Sequence, residues 1–97
     1  MANVRELKKD IDYLIFEIIS DSFTYGGLHP GEKDDAISGI ISDAVNLRND
    51  LIHRVNNPVK NGDHKSVRTH FQTVKKDLFT GIDKLCRRLS ALSEKKN

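Results

Sequence analysis

The chain has 97 residues, 37% of them hydrophobic and 31% charged, with a net charge of +2. That describes one domain, residues 1–97, with a modest core; it is too apolar and too regularly patterned for a disordered segment. A single cysteine, Cys86, excludes an internal disulfide and points to a reducing compartment. The start "MANVRELKKDID" meets charges before any apolar run, and no stretch approaches the roughly 20 apolar residues that span a bilayer. The expectation is a cytoplasmic protein with no membrane association.

From Val4 the apolar residues Leu7, Ile11, Leu14, Ile15 and Ile18 fall at helical spacing, with Asn3 as N-cap and Glu6, Asp10, Glu17 and Asp21 along one flank. A first helix is predicted over about 3–22, ending before "TYGGLHPG", where glycines and Pro30 break regular structure. The second run, from Ile37 and Ile40 through Ala44 and Leu51 to Val55, predicts a helix over about 32–56. Glu32, Asp34 and Asp35 in its first turn suit the helix dipole, and Pro58 closes it. "NNPVKNGD" reads as a turn, with Asp63 capping a third helix over about 64–93. There Val67, Phe71, Val74, Leu78, Ile82, Leu85, Leu89 and Leu92 advance in steps of four or three, a narrow seam for lengthwise packing. Gly81 interrupts it at a cost of about 1 kcal/mol relative to alanine. The fold class is all-α, an up-down-up three-helix bundle.

At about 1.5 Å per residue the third helix outruns the first, so its seam should extend beyond its cover in the same chain. Phe16, Ile19 and Phe23 lie off the main stripe of the first helix, and Phe79 and Cys86 line a flank of the third. With Leu89 and Leu92 at the end of the seam, these are the candidate interface residues of a homo-oligomer, most simply a two-fold dimer. The alternative is a 23–33 loop folded back over them, with Tyr25 and Leu28 as plugs.

Charge is distributed unevenly. Residues 1–64 carry seven Lys/Arg against eleven Asp/Glu, and residues 65–97 carry nine against three. Complementary charge between segments of one bundle produces this, and so does a basic face for an anionic partner. On the third helix Lys65, Lys76, Lys84, Arg87 and Arg88 form the candidate nucleic-acid stripe, extended by Lys95 and Lys96. No interleaved aromatics accompany them.

Within "NLRNDLIHRV", Arg48 falls inside the apolar arc of the second helix, where an arginine must be paired, must snorkel or must sit at an opening. Two readings follow: an ion pair with a carboxylate of a neighbouring helix or chain, or a cleft-facing arginine for a phosphate. His53 lies about 140° around the helix from it, on the polar side. The string R-N-D-L-I-H resembles the Arg-x4–6-His motif of HEPN domains, all-helical and often dimeric proteins, many of them metal-independent ribonucleases. That resemblance covers six residues and implies Arg48 as phosphate stabiliser, His53 as proton-transfer group and Asn49 as orienting residue. Two motifs would then face each other across a dimer axis. HEPN domains usually have four or five helices, and here one helix precedes the motif-bearing one. More broadly, "ELKKDIDYLIFEI" and "NDLIHRVNNP" are similar to a group of short all-helical bacterial proteins, which implies a small helical fold and carries no activity.

Other chemistry is not expected. "YGGLHPG" follows no strand and precedes "EKDD", so it is neither a P-loop nor a dinucleotide turn. Asp50 and His53 have di-iron spacing without the second copy a metal centre needs, and His64 and His70 form no ligand pair. Cys86 lacks an activating neighbour. Neither cofactor nor metal is expected. The reading is a small non-enzymatic helical protein acting through protein–protein contacts, as a homo-oligomer or with another protein. The alternatives are a HEPN-like ribonuclease and a weak nucleic-acid-binding module, with RNA as partner.

Overall fold

The computed structural model describes residues 4–31, 33–57 and 64–94. Three helices follow one another, α1 (Val4–Leu28), α2 (Asp34–Asn56) and α3 (His64–Glu94), and no strand occurs among the described residues. The expected caps Asn3 and Asp63, the first-turn Glu32 and most of the "NNPVKNGD" turn lie outside the described residues.

Each helix buries the stripe that its spacing predicts. Leu7, Ile11, Ile15 and Ile18 of α1 meet Ile40, Ala44, Leu51 and Val55 of α2 and Val74, Leu78 and Leu85 of α3 in one continuous core. Cross-links fix the directions. Asp43 with Arg88 and Asp77 with Arg54 make α2 and α3 antiparallel, and Tyr25 reaching Leu92 makes α1 and α3 parallel. The result is a rod of 54 × 20 × 18 Å with a radius of gyration of 15.9 Å. A compact chain of this length has about 13 Å. The α1–α2 contact is the most extensive and the α1–α3 contact the thinnest.

The end of α1 corrects the sequence reading. The helix runs six residues beyond Ser22, through both glycines to Leu28. Ser22 is fully buried and donates its hydroxyl to Ile18 O at 2.8 Å, so a polar residue closes the apolar stripe without an unmet hydrogen bond. Further on, Tyr25 donates its hydroxyl to Leu92 O at 3.1 Å and stacks on His29, ring centroids 4.4 Å apart. The His29 backbone N–H donates to Tyr25 O at 3.0 Å. Tertiary contact with the far end of α3 thus outweighs the roughly 1 kcal/mol that each helical glycine costs. Tyr25 packs within the helix rather than from a loop, and Leu28 is 72% exposed and plugs nothing.

This longer α1 also changes the account of the α3 seam. Val74, Leu78 and Leu85 are buried and Val67, Phe71, Ile82, Leu89 and Leu92 half-buried, so no seam residue is exposed. The helix of about 45 Å does not outrun its cover, because the extra turns of α1 supply it.

The α1–α2 connection carries the positive backbone angles, Gly31 at φ 81° and Lys33 at φ 57°. Lys33 is the N-cap of α2, which starts at Asp34 rather than Glu32 and has no side-chain cap. At the other end, His70 of α3 donates from Nε2 to Arg54 O at 2.7 Å. That carbonyl also accepts the backbone N–H of Asn57 at 3.3 Å, so it closes the α2 C-terminus with two partners.

Candidate functional site

Arg48 is half-exposed and sits on the flank of α2 that faces α1. Its Nε donates to Asp12 Oδ1 at 2.8 Å, and its Nη1 donates to Asn49 Oδ1 at 3.3 Å. The carboxylate that neutralises this arginine comes from the neighbouring helix of the same chain. His53 is exposed on another side of α2, where its carbonyl accepts Asn57 Nδ2 at 2.8 Å. Within one chain Arg48 and His53 address different surfaces, and Asn49 holds Arg48 rather than linking the two.

The basic residues of α3 divide. Arg87 pairs with Asp83 at 3.0 Å, and Arg88 reaches Asp43 of α2 at 2.6 Å, so two of the stripe's cations are neutralised within the chain. Lys76 and Lys84 are exposed and form no ion pair among the described residues. The side chain of Lys65, like Lys95 and Lys96, lies outside the described residues. Arg54, not singled out from sequence, bridges Asp77 at 2.8 Å and Asp50 at 3.3 Å. The Asp77 hydrogen bond leads in raising its guanidinium above the ordinary value, against the opposing effect of burial. Among the described residues no group of three His, Cys, Asp or Glu could hold a metal ion. No helix among them is long and apolar enough to cross a membrane.

Against this closed polar surface, the apolar residues stand out. Phe16, Phe23 and Phe79 are 67%, 65% and 60% exposed, and Tyr13 is open to a similar degree. Ile19, Leu89 and Leu92 are half-buried against the core, so of the candidate interface residues the three phenylalanines and Cys86 are the accessible ones. Two open grooves hold part of this surface, with Tyr13 and Phe16 in one and Cys86 in the other. One, of about 470 Å³ between α1 and α2, is lined by Asp12, Tyr13, Ile15, Phe16, Ile19 and Arg48. The other, of about 390 Å³ between α1 and α3, is lined by Asp21, Thr24, Tyr25 and Leu28 on one side and by Cys86, Leu89 and Ser90 on the other. Burial leads in raising the Cys86 thiol above its ordinary value, with the charges of Asp83 and Asp21 adding to it. That opposes a nucleophilic role.

No protein-family model, curated protein or solved structure matches this chain. The surface itself carries the functional argument. Sequence reasoning found the phenylalanines by their displacement from the core stripe. It missed Tyr13, which lies beyond the same flank, because one aromatic among charged neighbours gives no periodic signal. The placing of Leu28 failed with the predicted end of the first helix.

Proposed function

We propose that this chain is a non-enzymatic helical protein that works through protein–protein contacts, in the first place with copies of itself. The observation that carries the reading is the exposure of three of its four phenylalanines, Phe16, Phe23 and Phe79, on helices whose core stripes are already satisfied. A phenylalanine contributes roughly 150–250 Å² when covered, and exposed aromatic side chains of this size mark contact sites.

Surface area supports the same reading. The chain exposes 6698 Å². A monomer of 11.0 kDa is expected to expose about 5600 Å². The elongation of the rod produces this surplus of about 1100 Å², and a second rod laid alongside would cover part of it. Sedimentation equilibrium from low micromolar to near-millimolar protein tests the proposal. The expected result is a mass that rises from the monomer to at least twice that value. A clean monomer at the highest concentration ends it.

A further inference from the structure

The rod has two open apolar faces, and the ion pairs distinguish them. On the α1–α2 side the charges are matched, since Asp12 of α1 holds Arg48 of α2. Asp43–Arg88 and Asp77–Arg54 likewise join α2 to α3. Among the described residues Asp10, Glu17 and Asp21 of α1 form no ion pair with α3, although opposite charges stand on the two faces that flank that groove.

The α1 rim is a stripe in steps of four and three, Asp10, Leu14, Glu17, Asp21, Thr24 and Leu28, of which Asp21, Thr24 and Leu28 line the groove. On the α3 rim Cys86 lines the groove, and steps of seven and four carry the same face toward the N-terminus through Phe79 and Lys75 to Arg68. Asp21 stands level with Cys86. Parallel helices rising about 1.5 Å per residue then bring Glu17 level with Ile82, Leu14 with Phe79 and Asp10 with Lys75. Asp10, Glu17 and Asp21 on one rim and Arg68 and Lys75 on the other form no ion pair among the described residues. Helical spacing carries these two faces from the groove toward the helix N-termini, with Leu14 and Phe79 between the charges.

We infer that this groove receives α3 of a second copy, antiparallel to the first, with a two-fold axis beside Phe79. This rests on the homo-oligomer reading above and gives it one interface. Antiparallel pairing centred on Phe79 sets Gln72 of one chain against Cys86 of the other, and Arg68 against Ser90. Long polar side chains of one half thus meet small ones of the other. Lys75 arrives level with Glu17 across the interface, and Arg68 arrives within a turn of Asp21. Phe79, Ile82 and Leu14 of both chains gather at the axis, so α1, α3 and their copies close a four-helix arrangement. Parallel pairing would set Lys75 against Lys75 and Arg68 against Arg68, which like-charge repulsion disfavours.

Charge exchange tests this register. One variant carries Glu17→Lys and Asp21→Lys, the other Arg68→Glu and Lys75→Glu. All four residues are surface positions outside the core, and circular dichroism verifies that each variant remains helical. Each alone is expected to self-associate at least about tenfold more weakly than the parent chain, while their equimolar mixture forms a heterodimer near parental affinity. Phe79→Asp should weaken association to a similar extent, and Phe16→Asp should leave it unchanged. If the parent chain dimerises, but Phe16→Asp breaks the dimer while both charge variants still self-associate, this interface is wrong and the homo-oligomer reading stands. A parent chain that stays monomeric overturns both.

Discussion

At the residue scale, Arg48 shows how a misplaced charge is accommodated. Its position in the apolar arc of α2 demands a partner, and Asp12 supplies one at 2.8 Å from the neighbouring helix. Both side chains remain about half-exposed, so water screens the pair and its contribution falls in the range of about 0.2–1 kcal/mol. Its structural role is to close one rim of the α1–α2 groove. Cys86 permits a sharper expectation. Burial and two aspartates favour its neutral form, so less thiolate is present near pH 8 than for a free cysteine. At concentrations where the chain is monomeric, iodoacetamide should therefore alkylate it more slowly in the folded chain than in the same chain unfolded in urea, despite its exposure. Equal rates would show the thiol to be unperturbed. The linkage sign follows: a raised thiol value gives stability that is complete below the ordinary thiol range and is lost as pH rises through the folded value. Cys86→Ser should therefore flatten the alkaline side of the stability profile.

At the scale of the helix, two glycines separate propensity from packing. Gly81 was legible in the sequence as a weak point of the third helix, and the structure explains its presence. A Cβ there would stand 2.5 Å from Leu47 Cδ2, 3.0 Å from Cδ1 and 3.3 Å from Cγ, so the Leu47 side chain of α2 occupies that space. Gly27, in the last turn of α1, has nothing within 4 Å of such a Cβ. Gly27→Ala should raise stability by about 1 kcal/mol through helix propensity. Gly81→Ala should lower it, because overpacking costs about 1–3 kcal/mol and exceeds the same gain. Urea denaturation of the two variants reads both signs. Stabilisation by both would mean that Leu47 yields freely. Spacing alone located each helix, because a buried stripe repeats every three or four residues whatever it packs against. The end of α1 was not legible, since "TYGGL" carries breaker residues and only Leu92, far along the chain, offers the acceptor that holds Tyr25 in helix.

At the scale of the molecule, three helices of 25, 23 and 31 residues form a rod with too much surface for its mass. If the surplus is covered by a second copy, folding and association are linked, and the midpoint of thermal unfolding should rise with protein concentration. Scans across a hundredfold range of concentration check this, and a midpoint independent of concentration would describe a chain that is stable alone. Phe79→Asp should move the dependence to at least about tenfold higher concentration while keeping the helical signal.

By itself the sequence determined three helices, their core stripes and the residues left off those stripes, because each depends on spacing within one segment. It also exposed the oddity of Arg48 and the uneven charge of the two halves. Tertiary structure alone decided that Asp12 answers Arg48, that α1 continues to Leu28, and that Gly81 makes room for Leu47. It also decided that Asp21 of α1 and Cys86 of α3 face one groove. Those facts join residues distant in the chain. They follow from the rotation and register of one helix against another, which the whole core sets and no local pattern encodes.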